Sequence, residues 1–219
     1  TPIDGRVIAR VASTDKADVE RAVAAARRAF DSGVWSRQPP RERKRVLQRF
    51  ADLILAHRDE LALLETLDMG KPISDSLAVD VNSTARCIAW YAEAIDKIYD
   101  EVAPTPGNVV AMITREPSGV VAAVVPWNFP LLMASWKVGP ALAAGNSILL
   151  KPAEQSPLTA LRLARQEIRA TATKPGPGAV GQVADDRLHD QAGQRRGDQQ
   201  ARQRIHLGAI GQLLEQCAE

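Results

Sequence analysis

Two short apolar runs with a helix-length segment between them most limit what this chain can fold into. Val120–Val125 is continuously apolar, and Ser147–Leu150 is nearly so. Such runs are typical of parallel strands, which are buried on both faces. Residues 131–144 are long enough for a helix between them, and Pro157 opens a further helix. This alternation predicts an α/β fold that begins a Rossmann-like, doubly wound parallel sheet.

Three helices are predicted ahead of this sheet. Residues 15–32 repeat apolar side chains at helical spacing, with Asp15 as the N-cap and Gly33 as the stop. A second helix is predicted over residues 39–70, because paired prolines open it and a Gly-Lys-Pro turn closes it. A third is predicted over residues 76–99.

The segment between the helices and the sheet has a different pattern. Turn residues at 104–107 precede a short apolar run, Val109–Thr114, and a second turn follows at 116–119. We therefore predict a strand over Val109–Thr114 within a hairpin at about residues 104–117.

Composition and charge exclude several classes of protein. Of the 219 residues, 45% are apolar and 25% charged, and the net charge is only +2. So small a surplus favours neither nucleic acid nor an anionic membrane, and no run approaches the roughly 20 apolar residues of a membrane span. Cys87 and Cys217 are too few and too far apart for a disulfide scaffold or a zinc site, and we expect no bound metal. We expect a cytoplasmic location, since the first residues also lack a secretory signal.

The composition changes near residue 166. All nine aromatic residues lie at or before Trp136, whereas nine of the twelve glutamines lie in residues 166–219. The latter segment has few large apolar residues and no sustained period. We divide the chain into residues 1–165 and an atypical tail, residues 166–219, that is either disordered or translated in the wrong reading frame.

The strand ends carry the candidate chemistry. The first strand leads into Pro126-Trp127-Asn128-Phe129-Pro130 and the second into Lys151-Pro152-Ala153-Glu154. Ligands of such sheets bind outside the carboxyl ends of the strands. The Asn128 amide can donate to a developing oxyanion, and Lys151 and Glu154 can bind ribose hydroxyls.

Each of these residues also has a simpler interpretation. Asn128 could be a turn residue, Trp127 could pack in the core, and Lys151 with Glu154 could be a solvated pair near a helix start. The chain has neither a G-x-G-x-x-G turn after the first strand nor a P-loop.

At these motifs the chain closely resembles the NAD(P)-dependent aldehyde dehydrogenase superfamily. The resemblance rests on VVPWNFPLLMASWKVGPALAAGNSILLKPAEQSPLTALRLA, and upstream on AVAAARRAFDSGVWSRQPPRERKRVLQRFADLI and LETLDMGKPISDS. It covers about residues 1–165. Within the family the chain looks most like enzymes that oxidise γ-glutamyl-aminobutyraldehyde and related amino-aldehydes.

The resemblance implies roles for individual residues. Asn128 matches the family's oxyanion-hole amide, and Lys137 matches a helix lysine associated with its proton relay. For Lys137 and the two substrate positions, ordinary packing on a helix face is the alternative. The implied cofactor residues are Val124, Val125, Pro126, Trp127, Asn128, Lys151, Pro152, Ala153 and Glu154. The implied substrate-tunnel residues are Met133 and Trp136.

The resemblance also implies a reaction. A thiolate attacks an aldehyde, a hydride passes to nicotinamide and the thioester is hydrolysed to a carboxylate. We expect NAD to be preferred over NADP, because the Glu154 carboxylate would repel a 2′-phosphate. The hairpin at residues 104–117 matches part of the family's oligomerisation domain, so the full-length parent is expected to be a homo-oligomer, a dimer or tetramer.

Two elements that the family chemistry needs have no counterpart. The E-L-G-G-K glutamate base is absent, and so is the G-Q-x-C nucleophile, because Cys217 follows Gly211-Gln212 at the wrong spacing. We therefore expect an enzyme that is truncated and catalytically incomplete as written. The alternatives are a non-catalytic fragment that binds NAD or docks onto other subunits, and a defective product without activity.

Overall fold

In the computed structural model, which describes residues 1–11 and 15–171, a set of helices packs around a two-stranded parallel sheet. This arrangement confirms the predicted α/β class and the incomplete doubly wound sheet. In chain order the elements are α1 Lys16–Ser32, α2 Pro40–Ala56, α3 Arg58–Met69, α4 Ile73–Asp75, a π-helical segment Ser76–Asp80, α5 Val81–Ala94, β1 Glu101–Ala103, β2 Ala111–Ile113, β3 Val120–Val124, α6 Pro130–Ala143, β4 Ser147–Lys151 and α7 Leu158–Thr171.

The first helix ends where its sequence predicts. The Asp15 carboxylate accepts from the Asp18 N–H at 2.8 Å, and the Asp18 carboxylate accepts from the Asp15 N–H at 3.2 Å. This reciprocal capping box satisfies two backbone donors that the helix leaves unpaired. Gly33 ends the helix at φ 76°, a left-handed conformation that glycine adopts without strain.

The single helix predicted over residues 39–70 is wrong, because the chain forms two helices that meet at His57. This residue leaves the helical region at φ −110° and ψ 26°. Its ring Nδ1 is 2.8 Å from the Leu53 carbonyl oxygen, so the side chain competes for a backbone acceptor of the last turn. The apolar stripe continues across the break, and for that reason the sequence pattern does not reveal it.

The helix predicted over residues 76–99 also differs. It begins earlier, at Ile73, and contains a π-helical turn in which the Val81 N–H donates to the Ser76 carbonyl five residues back. It ends at Ala94, where the Lys97 N–H closes a turn onto the Ala94 carbonyl at 3.0 Å. Cys87 is half-buried in α5, as predicted.

The parallel pair β3 and β4 forms the sheet that carries the candidate site. The register pairs Val120 with Ser147 and Val124 with Lys151. Asn146 aligns the starts of the two strands, since its side chain accepts from the Gly119 N–H at 2.9 Å and donates to the Ala141 carbonyl at 3.2 Å. The crossover between the strands is α6, which begins at Pro130, one residue before the predicted start.

The strands β1 and β2 form the hairpin. Their antiparallel register pairs Glu101 with Ile113 and Ala103 with Ala111. The hairpin therefore includes a strand before the predicted 104–117 segment, and β2 is shorter than the Val109–Thr114 strand expected. Neither face of the hairpin is buried, and the residues of both short strands are exposed or half-buried. The apolar pattern of the sequence therefore does not mark where these strands begin and end.

The core lies where α2, α5 and α6 meet and continues under the sheet. Phe50, Ile54, Leu61, Ile88 and Leu131 are fully buried there. None of the helices in the described ranges has the length and apolarity needed to cross a bilayer. Most of the predicted tail, including Cys217, lies outside the described residues, and the division at residue 165 stays a prediction.

Gly139 generates a test of this packing. A Cβ at this position of α6 would lie 2.7 Å from Cδ2 of the Tyr91 ring on α5. We expect Gly139→Ala to destabilise the fold by about 1 kcal/mol, because overpacking outweighs the gain in helix propensity. Urea unfolding measures the change, and Gly107→Ala is the control, since a Cβ there meets nothing within 4 Å. Equal or higher stability of Gly139→Ala would contradict the close helix contact.

Candidate active site

The two predicted motifs lie at the same edge of the sheet. The register opposes Val124 and Lys151, and the Val125 N–H donates to the Lys151 carbonyl at 3.1 Å. The Ser156 hydroxyl donates to the Trp127 carbonyl at 3.2 Å, which ties the loop after β4 to the loop after β3. The segments Pro126–Pro130 and Lys151–Glu154 are therefore neighbours in space.

The loop after β3 ends in an unusual backbone conformation. Phe129 has φ 54° and ψ 49°, and within residues 1–11 and 15–171 it is the one non-glycine residue with positive φ. A bulky residue rarely adopts this region without support from its surroundings. Pro130 then opens α6, and the Met133 N–H donates to the Phe129 carbonyl at 2.8 Å. Asn128, just before the strained residue, is exposed at the mouth of the loop.

The strand-end surface presents both apolar and charged side chains. The side chains of Val124 and Trp127 are more than half exposed, which offers apolar contact area. Lys151 is half-buried and Glu154 exposed. In the described part of the chain, neither of these two side chains forms a hydrogen bond or an ion pair, so both are available to ribose or phosphate oxygens.

The other predicted cofactor positions differ in what they can present. Val125 is 2% exposed, so its side chain belongs to the core and only its backbone lies at the strand end. Pro152 is buried and Ala153 half-buried. A separate cavity of about 480 Å³ includes Glu154 but none of the other predicted site residues.

The predicted substrate and relay residues share one face of α6. Met133 is half-buried, while Trp136 and Lys137, three and four residues further on, are exposed. That spacing places the three side chains on the same side of the helix. This face follows directly from the Asn128 loop, so the helix extends the candidate site away from the sheet.

Beneath the loop lies a buried polar cluster that sequence reasoning missed. Glu65 on α3 and Asp80 at the end of the π-helical segment are almost completely buried. Lys71 pairs with Asp80 at 2.5 Å between Nζ and Oδ2. A Glu65 Oε1 accepts from the Leu131 N–H in the first turn of α6 at 3.4 Å, and the Lys71 ammonium lies 4.2 Å from the centroid of the Phe129 ring.

Burial governs the protonation of this cluster. Burial, followed by repulsion from Asp80, raises the pKa of Glu65 to about 7. Burial also raises the pKa of Asp68 to about 6, against the backbone N–H groups of Leu158 and Thr159, which lower it. Asp68 accepts from Leu158 at 2.7 Å and so joins α3 to the start of α7.

One sequence signal could have revealed the cluster. Glu65 follows Leu61 by four residues on the apolar stripe of α3, so a carboxylate occupies a position that the pattern assigns to the core. Buried carboxylates are rare unless they are paired. The stripe alone cannot name the partners, because Lys71, Asp80 and Leu131 come from three other segments.

The described residues contain neither a metal centre nor an activated thiol. No group of three or more His, Cys, Asp or Glu side chains in them could hold a metal ion. Burial raises the pKa of the Cys87 thiol, which keeps it protonated at neutral pH and unsuited to nucleophilic attack.

Comparison with known proteins defines the class to which this arrangement belongs. The sequence profile of the Aldehyde dehydrogenase family matches residues 1–179. The chain belongs to the aldehyde dehydrogenase family, which confirms the resemblance seen in its motifs.

Individual relatives are similar over the same region. The NADP/NAD-dependent aldehyde dehydrogenase PuuC of Escherichia coli is 58% identical over 163 residues, which are 74% of this chain and 33% of the relative. The structure of γ-glutamyl-γ-aminobutyraldehyde dehydrogenase from Burkholderia cenocepacia has a TM-score of 0.77 at 63% identity, covering 78% of this chain and 35% of that one. Indole-3-acetaldehyde dehydrogenase of P. syringae, solved with NAD⁺, has a TM-score of 0.76 at 63% identity over 77% of this chain and 34% of that one. The chain spans about a third of the length of the relatives it matches.

The buried Glu65 predicts how stability depends on pH. The unfolded state loses this proton near pH 4.5 and the folded state near pH 7, so the folded state binds more protons between these values. Stability should therefore fall as pH rises through this window, by on the order of 3 kcal/mol from Glu65. We expect Glu65→Gln to match the wild type at pH 4.5 and to exceed its stability at pH 7.5.

Urea unfolding at a series of pH values measures this difference. Glu116→Gln is the matched control, because it removes an exposed carboxylate at the other end of β3 and should leave the pH slope unchanged. Asp68 contributes to the same slope in both chains and cancels in the comparison. Parallel curves for wild type and Glu65→Gln would contradict the assignment.

Proposed function

We propose that this chain supplies the cofactor-binding and substrate-orienting part of an NAD-dependent aldehyde dehydrogenase. The observation that carries the proposal is the parallel register of β3 and β4, which makes neighbours of the Asn128 loop and the Lys151–Glu154 segment. A reacting carbonyl beside a dinucleotide needs both a donor to its oxygen and groups that bind the cofactor within one site. Residues 1–165 form this portion, and the homologous hairpin within it belongs to an oligomerisation region.

Asn128 is the oxyanion donor in this proposal. Its amide N–H groups are neutral donors, so they stabilise negative charge on a former aldehyde oxygen without transferring a proton. Exposure at the mouth of the loop supports this role, since the amide is open to a ligand. On the following helix, Met133 and Trp136 line the aldehyde path and Lys137 takes part in proton transfer.

The cofactor is held at the strand ends. Lys151 and Glu154 bind the adenosine ribose hydroxyls, and Val124, Pro126 and Trp127 provide the apolar wall, with Val125, Pro152 and Ala153 shaping the backbone around them. Bound NAD supplies an electrophilic nicotinamide ring that accepts a hydride from the substrate. The NAD⁺-bound structure of the P. syringae relative supports a nicotinamide cofactor of this kind.

The proposed substrate is an aldehyde that carries an amino group or its γ-glutamyl derivative. The similarity to the γ-glutamyl-γ-aminobutyraldehyde dehydrogenase of B. cenocepacia supports this class. We also propose a cytoplasmic location and a homo-oligomeric parent enzyme. The chain alone is inactive in this proposal, because it lacks the family's nucleophilic cysteine and glutamate base, and Cys217 replaces neither.

The role of Asn128 can be tested in an active enzyme. Residues 1–165 of this chain replace the corresponding segment of the E. coli relative, and formation of NADH with an amino-aldehyde is measured. We expect the chimaera to be active and Asn128→Ala to lower its kcat by about 100- to 1,000-fold, the usual effect of removing one oxyanion donor. Asn108→Ala, an exposed amide in the hairpin, is the matched control. A chimaera that loses little activity with Asn128→Ala would refute the oxyanion role.

The cofactor preference depends on Glu154. We expect the purified chain to bind NAD with a Kd no tighter than about 1 mM, because two strands form only part of a crevice, and to bind NADP more weakly. Glu154→Gln should narrow this difference by removing repulsion of the 2′-phosphate. Titration followed by NMR measures both affinities, with Glu116→Gln as the control of equal charge. Micromolar binding of NAD, or equal wild-type affinities for the two cofactors, would contradict the prediction.

A further inference from the structure

The strained Phe129 is in contact with a largely buried cation. The Lys71 ammonium lies 4.2 Å from the centroid of the Phe129 ring, and the same ammonium pairs with Asp80 at 2.5 Å. The side chain of Lys71 is 14% exposed and that of Asp80 is 1% exposed. A cation shielded from water in this way interacts more strongly with an aromatic face than an exposed one does.

A second contact fixes the residues that follow. Glu65 Oε1 accepts from the Leu131 N–H, in the first turn of α6. Phe129 thus lies between a ring contact to Lys71 and a helix start that is bound to Glu65. A bulky residue keeps a left-handed backbone conformation only where its surroundings constrain it, and here they do so from two sides.

The π-helical segment positions the Asp80 carboxylate that pairs with Lys71. Its Val81 N–H bonds to Ser76 five residues back, so Ser76 and Asp80 are both buried on the inner side. Asp80 is therefore aimed at Lys71, which follows the Gly70 turn at the end of α3. Insertions of this type occur frequently at functional sites.

We propose that Lys71, anchored by Asp80, is a positioning residue that holds the Phe129 ring and thereby fixes the direction in which Asn128 presents its amide. The proposal rests on the oxyanion role proposed for Asn128. Lys71 touches neither substrate nor cofactor in it. Its effect passes through the ring and the backbone of the adjacent residue.

The test weakens the ring contact without changing its size. Phe129 is replaced in the full 219-residue chain by phenylalanines that carry one, two or three fluorines, which progressively reduce the negative charge of the ring face. Amide hydrogen exchange of residues 127–133 is followed by mass spectrometry. We expect exchange to accelerate with each fluorine and to reach about tenfold with three.

Two backgrounds separate positioning from general stability. In Lys71→Met/Asp80→Asn both members of the ion pair are neutralised together, and exchange should be fast and independent of fluorine number. In Lys71→Arg the exchange rate should still rise with the number of fluorines, because a guanidinium also binds a carboxylate and an aromatic face. Exchange in α1, remote from the loop, should be equal in all chains. If the double variant does not fold, the fluorine series in the otherwise wild-type chain still decides.

The proposal is overturned if the exchange rate in the otherwise wild-type chain does not change with the number of fluorines. It is also overturned if the rate rises equally with fluorine number in the folded double variant. The readout uses neither cofactor nor aldehyde. A negative exchange result, which would refute the positioning role of Lys71, therefore does not affect the oxidation assay of the chimaera. A failure of the Asn128→Ala test, in turn, leaves the exchange result standing.

Discussion

The parallel pairing of β3 with β4 is the constraint on which the candidate site depends. Because side chains alternate along a strand, a slip of one residue would move every buried side chain to the other face. Asn146, just before β4, opposes such a slip, since its side chain accepts from the Gly119 N–H just before β3 and donates to the Ala141 carbonyl of α6. The register that it fixes at Gly119 persists to the other end, where Val124 meets Lys151. A buried amide at one edge of the sheet thus determines which residues meet at the opposite edge.

Burial of charge is the second constraint, and it connects the helices to the loop. An isolated carboxylate is costly to bury, and removing one member of a buried pair leaves the other uncompensated. Lys71 compensates Asp80, while Glu65 accepts from the α6 backbone and has its pKa raised to about 7 by burial. An apolar cluster of the same volume would pack as well. It would not contact the Phe129 ring with a cation or satisfy a donor at the start of α6.

Sequence reasoning was sufficient wherever one local signal decided the outcome. The apolar runs predicted β3 and β4, and the Asp15 cap and Gly33 stop predicted the ends of α1. The motifs after the strands predicted which residues would be neighbours. The break at His57 could not be predicted, because the apolar stripe passes through it without interruption. The π-helical turn and the Glu65–Lys71–Asp80 cluster depend on contacts between separate segments, and no local pattern specifies such contacts.

These constraints also bear on the loop that carries the oxyanion donor proposed above. An amide donor lowers a barrier only when it already points to where charge develops, since reorientation during the reaction would cost free energy. Pro126 and Pro130 restrict the backbone on either side of Asn128, but Pro130 favours an extended residue before it and so does not hold Phe129 in its left-handed conformation. Phe129 fills that position in a conformation that its own side chain disfavours. The ring contact to Lys71, in the turn after α3, and the bond from Leu131 to Glu65 on α3 supply the missing restraint, and both come from segments that precede the sheet. The N-terminal helices are therefore part of what shapes the loop, although none of the residues expected to bind the cofactor lies in them.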